Sequence, residues 1–267
     1  LTTDSLSPAY TIAAAGSSGV TLGIYKFTAT NDAVNLTKVG LNLGTVTASS
    51  TAADIGILTL WANGVQIATA QFSGNARSAT STSITGVSVP KDGILVVTVK
   101  GDLAAHGASL PSNPGALLTV NVDVAGTAGN KNTSGTGVGS GTTIDPTGST
   151  AVSGVRVFRA FPTVARSTTG MSSILIAQSG IDLYRFSIAA SAGGQGIALS
   201  QLTVNVATST VSTTNGTTSV TNLKVYAYTG PDFSSGPVAG YTAGQVVATI
   251  TGLVSGSNNT ATLSSVL

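Results

Sequence analysis

Short apolar runs recur along the whole chain, separated by clusters of Gly, Asn, Pro and Ser. In the clearest, Leu118, Val120, Val122 and Val124 fall on one side and Leu117, Thr119, Asn121 and Asp123 on the other, the pattern of a half-buried strand. The same reading predicts strands at Val20–Thr30, Leu36–Val46, Ile55–Trp61, Val65–Phe72, Ile84–Val89 and Ile94–Lys100. It continues with Val155–Phe158, Thr163–Ala165, Ile174–Gln178, Ile181–Ala190, Ile197–Val206, Val220–Tyr228 and Gln245–Thr251. Asn63-Gly64 between two such runs predicts a tight hairpin, and Pro90-Lys91-Asp92-Gly93 a second turn. One helical turn is expected at Leu103–His106.

The pattern is used twice. Tyr25-Lys26-Phe27 answers to Tyr184-Arg185-Phe186, Val34–Leu43 to Ile197–Val206, and Ile55–Trp61 to Val220–Tyr226, in one order. Such self-similarity marks a duplicated structural unit. Gly126–Thr150, rich in Gly, Ser and Thr, lacks the apolar side chains that would order it. The expected organisation is therefore all-β, with two tandem Ig-like antiparallel β-sandwich domains at 1–125 and 153–267 and a linker or loop at 126–152. The second copy stops soon after the counterpart of Val65–Phe72 and lacks up to two strands of the first. Either a strand from another chain completes it or the missing strands lie further along. A strand-poor sandwich leaves unpaired edge groups that accept a foreign strand. Ala9-Tyr10-Thr11-Ile12-Ala13, in the Leu1–Ala15 arm, is the candidate donor. Head-to-tail exchange of that kind need not close and builds a filament.

Composition supports strands over helices. Only 7% of residues are charged, and all nine acids are Asp. Glu, Lys, Arg and Gln, which suit exposed helix faces, are scarce, while β-branched Thr and Val abound. The net charge of +2 gives no basic field. Arg156, Arg159 and Arg166, interleaved with aromatics, read as the outer face of a strand, and no nucleic-acid partner is expected. Disulfides and thiolate metal sites are excluded, because Cys is absent. No apolar run approaches the ~18 residues that span a bilayer as a helix.

Candidate chemistry is sparse. His106 stands alone, and no nucleophile elbow is present. The Gly135–Gly141 run fits neither dinucleotide nor phosphate-loop spacing. Asp32, Asp54, Asp92, Asp102, Asp123, Asp145, Asp182 and Asp232 are scattered singly, so paired-carboxylate catalysis is not expected, although neighbouring loops can still gather Asp around Ca²⁺. Trp61, Tyr226 and Tyr228 read as packing residues rather than a sugar platform. Four Asn-x-Ser/Thr sites occur, Asn35, Asn132, Asn215 and Asn258, as many as chance supplies. Asn132 and Asn215 lie in polar loops accessible to covalent glycans.

The tandem copies, the Thr/Ser/Gly/Ala/Val bias and the Gly126–Thr150 stretch resemble Ig-like repeats of microbial cell-surface proteins, the S-layer and extracellular-fibre subunits. The resemblance implies a secreted structural subunit that assembles with itself, without catalysis or cofactor. A long apolar N-terminal helix of the pilin kind is lacking. The alternative is an adhesin module that binds carbohydrate or protein at the cell surface.

Overall fold

A computed structural model describes the chain except for residues 45–49, 108–109, 111, 169, 172–177, 192–195, 208–219, 235–237, 239–245 and 264–266. The described residues are all-β, and their one helical element is a 3-10 turn at Ala52–Asp54. The helical turn expected at Leu103–His106 is absent: Leu103 ends a strand, and its N–H is taken by Ser17 O at 2.8 Å. The chain divides into two compact units, Leu1–Phe161 with Ala190–Gln195, and Pro162–Ala189 with Gly196–Leu267.

The first unit begins with β1 (Thr2–Thr3), β2 (Ala9–Ala14), β3 (Val20–Thr28), β4 (Val34–Lys38), β5 (Gly40–Leu43), β6 (Ile55–Ala62) and β7 (Val65–Ala70). It continues with β8 (Ser78–Thr80), β9 (Ser88–Val89), β10 (Ile94–Leu103), β11 (Leu117–Leu118), β12 (Val120–Asp123) and β13 (Gly126–Thr127). β14 (Asn130–Lys131), β15 (Ser134–Gly137), β16 (Thr143–Ile144) and β17 (Gly154–Phe158) complete it. The largest sheet runs β1-β3-β10-β6-β7, with β10 antiparallel to both neighbours. Smaller sheets run β11-β17-β2, β12-β5-β8 and β16-β15-β4-β9. Asn63 and Gly64 join β6 to β7 with φ of 51° and 78°, the two left-handed residues that a type I′ hairpin demands.

One apolar core serves this unit. Leu22, Leu41, Leu58, Leu60, Val97 and Val99 have no exposed surface, and they come from β3, β5, β6 and β10. Each such side chain contributes about 1.5–3 kcal/mol on burial. The alternation of β10 is complete: Leu95, Val97, Val99, Gly101 and Leu103 are buried, and the residues between them are not.

Hydroxyls take a part that the composition alone does not announce. Ser7 Oγ accepts the N–H of Ile24 at 2.9 Å and donates to its carbonyl at 2.8 Å. Thr150 Oγ1 does the same for Val122, at 3.0 Å each way. Thr133 Oγ1 accepts from Gly40 N and donates to Asp123 O. One side chain thus satisfies backbone groups that would otherwise need a further strand.

The stretch 126–152, expected as a linker or loop, carries short strands. It folds within the first unit as β13–β16, and β15 pairs with β4. Glycine makes this workable: a Cβ at Gly135 would lie 2.7 Å from Asn35 O and 2.6 Å from Val34 Cγ1. Backbone pairing and close approach order a segment whose side chains cannot. β17, placed by the sequence in the second domain, pairs with β2 and β11 of the first unit, and the division falls at Phe161/Pro162.

Asp4 anchors β1. Its carboxylate accepts the N–H of Leu6 at 2.8 Å and meets Lys26 Nζ at 2.9 Å, and these contacts hold its pKa below the usual value. A depressed folded pKa stabilises above the unfolded value of about 3.9 and is lost as pH falls through the folded one. Amide exchange in β1 and at Leu6 is therefore expected to be unchanged from pH 7 to 5 and to quicken, relative to the intrinsic rate, below about pH 4. Equal protection at pH 6 and pH 2.5 would remove this role.

The second unit holds β18 (Pro162–Ser167), β19 (Arg185–Ala190), β20 (Gln201–Asn205), β21 (Asn222–Tyr226), β22 (Val246–Thr251) and β23 (Asn258–Thr262). Its ladders are β18–β19, β20–β23 and β21–β22. Of the strand predicted at Ile174–Gln178, residues 174–177 lie outside the described residues. β21–β22 reproduces the register of β6–β7. Leu58, Thr59, Leu60 and Trp61 face Ala70, Thr69, Ala68 and Gln66; Leu223, Lys224, Val225 and Tyr226 face Ile250, Thr249, Ala248 and Val246. The bulge falls between the same two positions in both. β20–β23 likewise repeats β5–β8: Thr203, Val204 and Asn205 face Thr260, Asn259 and Asn258, as Gly40, Leu41 and Asn42 face Thr80, Ala79 and Ser78. The core is thinner. Val247 and Leu263 form one cluster, and Ala248, Ile250 and Ala261 another.

Candidate functional site

The Ala9–Ala13 segment lies in β2, at the edge of its sheet, parallel to β17. Ala13 and Ala14 are buried, but Tyr10 is 67% and Ile12 52% exposed. Tyr10 also adopts φ 55°, a left-handed conformation unusual for an aromatic residue. An edge strand with two large apolar side chains facing water is a template for pairing.

The second unit buries less at the corresponding repeat positions. Tyr25, in β3, has no exposed surface, and its repeat counterpart Tyr184 is 57% exposed. Leu58 and Leu60 are fully buried, and their counterparts Leu223 and Val225 only half-buried. Tyr226, at the position of Trp61, is exposed. Trp61 carries Lys100 Nζ 4.5 Å above its ring, and Tyr228 packs edge-on to Phe233 at 6.3 Å, so both are held by neighbours.

Each Asp is held by hydrogen bonds or an ion pair of its own. Asp54 takes Thr51 N and Asn113 N, both at 2.6 Å, and Asp102 takes Gly19 N at 2.8 Å. Asp92 takes Asn31 N, Asp123 takes Ala125 N, and Asp232 takes Ser234 N. Asp182 bonds Arg185 at 2.6 Å. The N–H groups of Gly139 and Ser140 bind Asp32 at 3.0–3.1 Å and hold its pKa low. Asp32 and Asp145 line one cleft of about 360 Å³ with Phe27 and Ser140, and Asp145 accepts Gly129 N there at 2.6 Å. No cluster of three metal-ligating acids or histidines occurs among the described residues.

His106 is buried with Nδ1 against Ser112 Oγ, and that hydroxyl donates to Ala105 O at 2.6 Å. The Ser proton is thus committed to a carbonyl, so Nδ1 is the donor of the pair. A base that activates serine needs the opposite polarity.

Asn132 is half-buried, with Nδ2 bonded to Asp123 Oδ2 at 2.9 Å and its Cβ against Gly40. Asn215 lies outside the described residues. No helix of the described residues is long and apolar enough to cross a membrane. No protein-family model, curated protein or solved structure matches the chain.

Proposed function

We propose that this chain is a structural subunit of an extracellular filament or surface layer, built of two tandem Ig-like sandwiches and joined to its neighbours by strand exchange through Leu1–Ala15. The observation that carries this reading is β2, an edge strand that holds on by one parallel ladder while Tyr10 and Ile12 face water. Tyr10 and Ile12 are not covered where the strand now lies, and its re-pairing on another chain would form backbone hydrogen bonds and bury those side chains together. The low charge agrees with the role, since close-packed subunits then meet little mutual repulsion.

Removal of residues 1–15 is expected to abolish assemblies seen by negative-stain microscopy and to leave monomers. Assemblies at normal yield from the shortened chain would end the strand-exchange reading. Saturable binding of a glycan or protein by the monomer would instead favour the adhesin.

A further inference from the structure

We infer that Asn63-Gly64 is a self-modifying site, where the turn that joins β6 to β7 closes on itself, expels ammonia and reopens as an aspartyl or isoaspartyl link. The reagents are the chain's own amide groups and water, and the inference stands apart from the strand-exchange reading.

The site is built from what the turn leaves free. Ala62 and Val65 pair with each other, so the two-residue link spends no ladder hydrogen bond on Asn63 or Gly64. Both residues are exposed, and among the described residues nothing bonds the Asn63 side chain or the Gly64 N–H. Gly64 has no Cβ, and nothing lies within 4 Å of where one would sit. The peptide between the two can therefore swing about the Asn63 Cα–C bond until Gly64 N meets Asn63 Cγ.

Other candidates are held. In Asp92-Gly93, a pair of the same kind, the Gly93 N–H donates to Pro90 O at 3.0 Å and the Asp92 carboxylate accepts Asn31 N at 3.1 Å. Asn42 donates to Ser78 Oγ, Asn132 to Asp123, and Asn259 to two carbonyls. The other Asn-Gly, Asn215-Gly216, lies outside the described residues.

The chemistry balances without an oxidant. Gly64 N bonds to Asn63 Cγ, the Cγ–Nδ2 bond breaks, and Nδ2 leaves as ammonia with the proton that Gly64 N gives up. Water then adds to one of the two ring carbonyls, and the ring C–N bond there breaks. Opening at Cγ leaves aspartate in the ordinary linkage. Opening at the main-chain carbonyl sends the backbone through Cγ and lengthens it by one methylene.

The two products differ in effect. Aspartate before glycine still suits the left-handed turn. The lengthened link does not fit between Ala62 and Val65, and turn length fixes hairpin register. β7 lies at the edge of its sheet and holds on by the buried Ala68 and Ala70, so it is the strand that loosens.

In the test, the full-length chain is kept warm at mildly alkaline pH, which helps the backbone nitrogen lose its proton, and is then mapped by mass spectrometry after digestion. The expected result is the mass gain of an amide turned acid at residue 63, ahead of residues 42, 132 and 259. In the isoaspartyl fraction the amides of β7 should lose exchange protection several-fold. Asn63→Gly keeps a left-handed turn without a side-chain amide, and it should age with β7 protection intact. Residue 63 unchanged in the folded chain while it converts in urea would show that the hairpin shields it, and would overturn the site. Conversion at residue 42, 132 or 259 first overturns it as well. Full β7 protection in the isoaspartyl fraction overturns the loosening.

Discussion

Leu58→Ala is expected to destabilise the first unit by about 2–5 kcal/mol, and Leu223→Ala, at the same ladder position of the second, by less than half as much. Leu58 has no exposed surface and packs in the single large core, where neighbours cannot collapse into the space left behind. Leu223 is half-buried and sits beside Ala248, Ile250 and Ala261 in a small cluster. Less apolar area leaves water when it folds, so less is lost on truncation. Site-resolved hydrogen exchange reads each unit separately, which a single melting curve of a two-unit chain does not. Equal costs in the monomer would mean that the second unit is already as well packed as the first.

The elements with alternating large apolar residues were legible without coordinates. The Asn63-Gly64 hairpin and the strands at Ile55, Val65 and Ile94 are where the pattern places them. In each, side-chain burial sets the structure, and burial is what a hydropathy pattern records. The segments that escaped it are ordered otherwise. β15 reads Ser-Gly-Thr-Gly, and it is a strand because β4 and β16 take its backbone and because Gly135 has no Cβ to collide with Asn35. Ser7, Thr133 and Thr150 plug open edges with one hydroxyl each, a role that no spacing rule marks among so many Ser and Thr. Asn132 reads as a free loop residue, yet its amide is committed to Asp123, a partner nine positions earlier that only the fold of the stretch brings near. The arm was visible as an apolar run, but its parallel ladder with β17 depends on residues nearly 150 positions away.

Gly23→Ala is the other large effect expected, of the order of 3–5 kcal/mol against a domain's total of roughly 5–15. Gly23 and Tyr25 are two apart in β3 and share a face. The Tyr25 ring folds back over the glycine, so a Cβ there would lie 2.6 Å from Cζ. The ring cannot yield, because Tyr25 is wholly buried and its O–H donates to Val120 O. Burial also raises the phenol's pKa well above its ordinary value, which keeps the proton on that donor. An alanine must therefore expel the ring or spread β3 from its neighbours, and either course loses about 1.5–3 kcal/mol of aromatic burial together with the hydrogen bond. The second copy has no glycine at this position, and its tyrosine is not buried. Asp182 stands in the glycine's place and bonds Arg185, and Tyr184 turns outward to lie 5.7 Å from the ring of Phe186. The collision can be separated from glycine's backbone freedom by a double-mutant cycle. Tyr25→Leu removes the ring atoms that meet the new methyl, so Gly23→Ala in that background should cost under about 1 kcal/mol, the ordinary range for a strand position without a clash. An undiminished cost would trace the effect to the backbone of β3 and not to the tyrosine.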